Sequence, residues 1–385
     1  MKILIVSKCP THPTNAGNRA WIMAQTHVLE QLGNEVYFLY VEELPMRGSI
    51  NSYKEDFEKT KKHWSERFHL FKVSRSRKII LNLRKYIDKF FFHNYYSADE
   101  TYPCDLDKFV NKLDAQYHFD ACIVNYVYLS KLLTRINIPK KAISTHDCMA
   151  YKNLKVGETC RTMTAHQEAI AMQRCPHIFA LQDDEAAYFQ ILSPQSKVYK
   201  VYSPYTYHKC AVVGNKTILF LSGSNQYNQN GIKWFLERVF PLIRNRFSDA
   251  RLLIGGGICK VLNDIGHIQG VELLGYIDNP ADFYAKGDIA INPVYQGTGL
   301  KIKTFEAISY DKVTMVHPHS MAGVFKKEQA PLFASEKPEE WVSYLEKIWS
   351  NHDEITTVKN HNKEYLEEMN AFIINEYKRF LSANN

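Results

Sequence analysis

Two α/β domains, each a parallel sheet with helices on both faces, are what this sequence predicts, and three observations carry that expectation. A chain of 385 residues exceeds what one hydrophobic core usually serves. Short apolar runs of strand length alternate with helix-length periodic segments almost throughout, the pattern of successive β-α-β units. The alternation breaks once, from Ser203-Pro204-Tyr205 through Gly214-Asn215, and then restarts. The expected domains are therefore 1–205 and 206–369.

In the first series the expected strands run from Lys2 to Val6, Glu35 to Tyr40, Ala121 to Asn125, Ala142 to Thr145, His177 to Leu181 and Val198 to Tyr202. A helix from about Gly17 to Leu32 meets Gly33, the residue type that ends helices in a left-handed conformation. In the second series the strands run from Thr217 to Leu221, Arg251 to Ile254, Val271 to Leu274, Ile289 to Asn292 and Val313 to Val316. A helix over Gly231 to Ile243 presents Ile232, Phe235, Leu236, Val239 and Phe240 on one face.

Composition narrows the class. With 45% apolar and 23% charged residues the chain reads as an ordinary soluble protein, and no apolar run approaches the roughly 18 residues that span a bilayer. The apolar stretch at the amino terminus is interrupted at Lys8 and Pro10, too early for a signal peptide, so it reads as a first buried strand. The 8 cysteines form no Cys-x-x-Cys pair, which fits a reduced cytoplasmic compartment and no zinc site. Charge is unevenly spread. From Lys54 to Lys89 there are 12 Lys or Arg against 5 Asp or Glu, an excess equal to the net +7 of the whole chain.

Three segments carry chemistry. The turn Pro13-Thr14-Asn15-Ala16-Gly17-Asn18-Arg19 follows a strand and opens a helix, so Gly17 and Asn18 present backbone donors and a positive helix end to an anion. It lacks the Gly-x-Gly-x-x-Gly spacing of a dinucleotide site. Ser144-Thr145-His146-Asp147 lies at the carboxyl end of a strand, where ligands gather in open α/β sheets. His146 can hydrogen-bond a sugar hydroxyl or trade a proton, with Asp147 fixing its tautomer or capping the next segment. The richest run is Asn292 to Ala307. There Gly297, Thr298, Gly299 and Leu300 precede a helix whose first turn carries Lys301 and Lys303, and Glu306 follows. Exposed amides and lysines suit a diphosphate, and a carboxylate accepts both hydroxyls of a ribose. Lysines in a first turn oppose the helix dipole, which an anionic ligand would explain. Ser222-Gly223-Ser224-Asn225 offers further backbone donors, whereas Gly255-Gly256-Gly257 has no Lys-Ser/Thr partner and reads as a chain turn.

Together the Gly-Thr-Gly-Leu-Lys-Ile-Lys-x-x-Glu-Ala run, the Gly275-Tyr276-Ile277-Asp278 turn, the His146-Asp147 pair and the Gly17 turn resemble family 4 glycosyltransferases, over most of the chain and most specifically from Thr217 to Gly323. The resemblance implies an α/β fold of two Rossmann-like domains facing a central cleft (GT-B), the second holding a nucleotide diphosphate sugar. The acceptor, a glycan or a lipid-linked sugar, would enter against the first domain, and the terminal segment 370–385 would pack back on that domain. It further implies that Glu306 holds the ribose, Lys301 or Lys303 the diphosphate, Gly299 and Leu300 backbone contacts, and Tyr276 with Ile277 the base. Gly17 would approach the phosphate and His146 the transferred sugar. Such enzymes retain the anomeric configuration and use no metal or other cofactor, protein cations stabilising the leaving phosphate. Bacterial surface-polysaccharide assembly is the implied setting.

Two positions depart from the family pattern: residue 298 is threonine where a second glutamate is frequent, and Asn230-Gly231 stands where a Lys-Gly pair is frequent. Three alternatives stay open: a nucleotide-sugar epimerase of the same fold, a non-catalytic nucleotide-sugar sensor, and a nucleic-acid-binding protein using the basic block. No nucleic acid is expected as a partner, because no recognised module accompanies the charge. Arg75 to Asn94 instead reads as an amphipathic cationic helix, with Ile79, Leu83, Tyr86, Ile87 and Phe90 on one side and Lys78, Arg84, Lys85 and Lys89 largely on the other. It suits an anionic membrane surface, or else the helix packs its apolar face on the first domain.

Overall fold

The computed structural model describes all residues except 15, 43–49, 153–160, 264, 265, 267, 298, 300, 384 and 385. The chain divides into two compact units: Met1–Ser203 with Ile373–Asn385, and Pro204–Phe372.

The first unit is built on seven parallel strands: β1 (Lys2–Ser7), β2 (Glu35–Val41), β3 (Phe68–Phe71), β5 (Ala121–Asn125), β6 (Lys140–Ser144), β8 (His177–Ala180) and β9 (Lys197–Lys200). Their order is β3-β2-β1-β5-β6-β8-β9. Two short strands, β4 (Tyr95–Tyr96) and β7 (Thr162–Met163), pair separately. β1 is buried along nearly its whole length, as expected of a central strand covered on both faces. The chain winds outward from β1 through β2 to β3, then returns to β5 on the other side of β1. This reversal leaves a crevice at the carboxyl ends of β1 and β5. The helix Gly17–Gln31 lies beside it and is ended by Gly33, whose φ of 78° needs a residue without Cβ.

β3 falls inside the basic block, where alternating charge hides a four-residue edge strand from sequence reading. The helix Ile50–Trp64 of the same block is also tied to the sheet. Trp64 stacks on Phe38 at 5.0 Å and donates to Thr11 Oγ1, while Thr60 Oγ1 accepts from the amides of Thr11 and His12. These contacts fix the turn after β1.

In the second unit six parallel strands, β10 (Thr217–Leu221), β11 (Arg251–Gly255), β12 (Val271–Gly275), β13 (Ile289–Asn292), β14 (Val313–Val316) and β15 (Leu332–Ala334), run in the order β12-β11-β10-β13-β14-β15. The reversal here falls between β10 and β13. The first long helix starts at Gln226, five residues before Gly231, because the Asn225 side chain caps it by accepting from the Asn228 amide. It continues through a π turn, Phe235–Val239, into Phe240–Arg246. Pro241 lacks the N–H that α-helical bonding requires, which accounts for the wider turn. Ile232, Phe235, Leu236, Val239 and Phe240 are all buried, with Trp341 packed edge-on against Phe235. At the amino edge, buried Asp288 accepts from the amides of Val213 and Gly214 and from Lys359 Nζ, holding the incoming chain.

The last helix, His352–Ser382, contributes to both units. Its final turns pack Ile373, Tyr377 and Phe380 into the first unit, and Lys140 Nζ donates to the carbonyls of Phe380, Leu381 and Ala383 at 2.9, 2.6 and 2.9 Å. A lysine thus satisfies the helix's orphan carbonyls and complements its negative end. Phe380 lies within 5.9 Å of the rings of His177, Phe179 and Tyr199. Phe380→Ala should lower the first unit's unfolding free energy by about 3–5 kcal/mol, the range for deleting a buried Phe; urea unfolding followed by near-UV circular dichroism measures it, and an unchanged midpoint contradicts this packing.

Candidate functional site

In the second unit the sequence-selected residues collect at the carboxyl ends of β10 to β14. The Ser222 and Gly255–Gly256 turns are interlocked: Ser222 N donates to Gly255 O, Gly256 N to Gly275 O, and Ile258 N to Ser222 O. A Cβ on Gly256 would lie 2.4 Å from Ser222 O, so this glycine, at φ 93°, serves close backbone packing. Gly223 and Ser224, by contrast, are exposed, and the space beside Gly223 is open.

Across the β10/β13 crevice, the helix Ile302–Ser309 begins without a side-chain cap and without an acidic residue in its first turn. Its first amides are consequently available to an anion. Lys301 is the N-cap residue and not part of the first turn, and its Nζ donates to Gly299 O at 3.0 Å. Lys303 turns inward, donating to Asn228 Oδ1, with its ammonium 5.7 Å from the Phe220 ring centroid. Asn228 in turn donates to Gly223 O at 3.0 Å. The two lysines therefore point to different places, as positions two apart on a helix must. Burial, reinforced by neighbouring Lys301 and opposed by Glu306, pushes the Lys303 ammonium down to about 7. An ammonium so placed gains strongly from a bound anion.

Glu306 is one turn beyond Lys303. Burial raises its carboxyl, while a hydrogen bond from Tyr284 at 3.3 Å and the Lys303 charge oppose that shift. Tyr284 stacks on Tyr310 and Tyr310 on His208, each at 4.8 Å, so the carboxylate rests on a rigid aromatic column. The glycine loop is braced from β14's end: His319 Nε2 contacts Gly297 O at 2.9 Å and Ser320 donates to Val294 O. Tyr276 is 78% exposed, whereas Ile277 packs partly against the Leu219, Leu253 and Phe283 cluster, so its side chain serves the fold. Thr298 and Leu300 lie outside the described residues.

The first unit has its own polar cluster at the β1/β5 crevice. His146 Nε2 meets Asn125 Oδ1 at 2.8 Å, and its ring stacks on Tyr126 at 4.0 Å and 11°. Asp147 does not fix the imidazole as expected; it pairs with Lys152 at 2.7 Å, and Asn125 takes that part. With Nε2–H donated to Asn125, Nδ1 becomes an acceptor, suited to a sugar hydroxyl. Burial, with a smaller push from Lys152, lowers the imidazole to about 3, so His146 is neutral at physiological pH. Tyr126 sits at φ 67°, a strained conformation for a tyrosine. Asn18, next to Gly17 at the helix start, donates to Cys9 Sγ at 3.2 Å, and its proximity opposes the burial that raises the Tyr126 hydroxyl. Asn18 thereby links the ends of β1 and β5. Among the described residues no group of His, Cys, Asp and Glu is arranged to hold a metal ion.

Sequence reading missed Asn228, Tyr284, His319, Asn125 and Tyr126. Asn228 had a signal in the Asn225-x-x-Asn228 helix start after a strand. The others are ordinary residues given meaning only by strand order.

Two open parallel sheets, each gathering polar groups at the carboxyl side of a strand-order reversal, define the class of fold: the chain has the GT-B architecture of its structural neighbours. Within the second unit, residues 215–351 match the model of the family described as Glycosyl transferases group 1. The "Uncharacterized 44.6 kDa protein in cps region" of Klebsiella pneumoniae is 23% identical over 336 residues, 80% of each chain. A mutant TarM of S. aureus, solved in complex with Fondaparinux, alpha-GlcNAc-glycerol and UDP, is similar over 100% of both chains, with a TM-score of 0.67 at 10% identity. Sucrose-phosphate synthase from Thermosynechococcus elongatus has a TM-score of 0.67 at 10% identity, over 99% of this chain and 98% of that one. At such identities the structural likeness establishes the fold.

Because His146 is held neutral by burial, its imidazole resonances should stay fixed between about pH 5 and about pH 8, where an unperturbed histidine titrates near about 6.5. Two-dimensional NMR of the wild type against His146→Gln identifies the signal; titration in that range would contradict the geometry.

Proposed function

We propose that the chain is a retaining glycosyltransferase that moves a sugar from a nucleotide diphosphate sugar to a glycan or lipid-linked acceptor in bacterial surface-polysaccharide biosynthesis. The observation that carries the donor side is the buried Lys303 ammonium beside an uncapped helix start, with Glu306 one turn further on. Lys303 and the helix amides take the diphosphate, and Glu306 accepts the ribose hydroxyls. Tyr276, with Ile277 beside it, gives the base a ring to stack on, and the Gly297-Thr298-Gly299-Leu300 run contributes backbone donors to the phosphates. Gly223 and Ser224 supply backbone donors from β10. Lys301 holds the glycine loop and acts on the ligand second to Lys303.

In the first unit, His146 receives a sugar hydroxyl at Nδ1, while Gly17 and Asn18 offer the helix end to a phosphate. As the bond to the sugar breaks, negative charge grows on the leaving diphosphate, and a pre-positioned ammonium stabilises it most where water is excluded. The reading requires no metal, since the charge is supplied by the chain. UDP, which the TarM structure contains, is the first nucleotide to try. The relative from a cps region supports the polysaccharide setting.

Glu306→Ala should weaken UDP binding by about 1.5–3 kcal/mol, the scale for losing hydrogen bonds to a charged group. Calorimetry on the folded mutant measures this, and unchanged affinity removes Glu306 from the site. Lys303→Met should cost far more turnover than Lys301→Ala; equal and full turnover in both would place the diphosphate elsewhere.

The Lys303 shift also gives a pH signature. Binding an anion favours the protonated amine, so affinity is full below about 7 and falls as pH rises above it, by at most about tenfold per unit. Lys303→Met should abolish that fall. A wild-type affinity flat from about pH 7 to 9 would contradict the assignment.

A further inference from the structure

We infer that the helix Arg75–Phe92 is an interfacial membrane helix that docks the first unit on an anionic lipid surface. Its apolar face does not pack on the unit. Ile79, Leu83, Tyr86, Ile87, Phe90 and Phe91 are all exposed, Phe90 at 76% and Tyr86 at 73%. Positions 79, 83, 86 and 90 recur at helical spacing, so they form one continuous stripe about three turns long. Contiguous apolar surface of this kind marks an interaction site.

What faces the protein is the opposite of the usual arrangement. Arg84 donates to the carbonyls of Asp99 and Tyr102 at 3.1 and 3.0 Å. Arg77 donates to Lys72 O, lies 4.7 Å over the Phe71 ring and pairs with Asp105. Ser74 caps the helix by accepting from the Arg77 amide. These arginines anchor the helix, and Arg84, which the sequence pattern places on the side away from the apolar stripe, is turned toward the protein. Fixed from behind by polar groups, the helix presents its apolar stripe outward.

Charge chooses the occupant. The helix carries six Lys or Arg against one Asp, within the block that holds the whole net excess of the chain. A second copy would bring two such cationic helices together, which like-charge repulsion opposes. A leaflet rich in anionic lipid offers apolar depth and complementary charge together, and exposed Lys89 can extend to its headgroups. Among the described residues no helix is long and apolar enough to cross a membrane, so this one would lie in the interface.

The test is flotation of the full chain with phosphatidylcholine vesicles, with and without phosphatidylglycerol. The wild type should float only with the anionic vesicles, and high salt should reduce the fraction bound. Tyr86→Ser with Phe90→Ser should reduce binding at least tenfold, and Lys89→Glu should weaken it, while thermal melting shows that both variants remain folded. Neither substitution touches the donor residues, so failure here leaves the transferase reading standing. Wild type that ignores anionic vesicles at low salt overturns the inference. So does a double variant that floats as well as wild type, or a wild-type dimer that ignores vesicles and that the double variant dissociates.

Discussion

An ammonium buried beside the reversal of strand order is the constraint around which the second unit is organised. Lys303 reaches from the helix after β13 to Asn228 on the helix after β10, and Asn228 ties that contact to the backbone of Gly223. The elements that meet there come from both sides of the crevice. Gly231 lets the β10 helix approach so closely that a Cβ would lie 2.9 Å from Val294 Cα. Without that approach the Asn228 side chain would not reach Lys303. The cost of burying the charge shows in its lowered proton affinity, and an anion in the crevice would offset it.

The first unit solves a related problem with neutral groups. Its crevice is spanned by Asn18, bonded to Cys9 after β1 and close to Tyr126 after β5, and the strained Tyr126 supports the His146 ring. Among the described residues no lysine donates to His146, Asn125 or Asn18, and the histidine is neutral. The second unit's crevice thus holds a cation, Lys303, and the first unit's a cluster of neutral hydrogen-bonding groups.

Much of this was legible in the sequence where two signals coincide. Strands such as β1 and β10 are short apolar runs ending in turn residues, and the Gly297 to Glu306 run joins glycines, lysines and a carboxylate after such a strand. Less was legible where a role depends on neighbours distant in sequence. Lys301 and Lys303 look alike in the sequence, and only the meeting with Asn228, 75 residues earlier, separates them. Asn125 displaced Asp147 as the partner of His146 because strands β5 and β6 are adjacent, a fact of sheet order. β3 was hidden because four residues amid charges give too little period to read. The helix Arg75–Phe92 was correctly seen as amphipathic, but which side faces the protein depends on carbonyls at Asp99 and Tyr102 that no periodicity can supply.

A crystal structure of the full chain with UDP tests the central claim most directly. The account predicts a phosphate oxygen within hydrogen-bonding distance of Lys303 Nζ and ribose hydroxyls on the Glu306 carboxylate. A diphosphate bound away from the β10/β13 crevice, with Lys303 still on Asn228 alone, would contradict it.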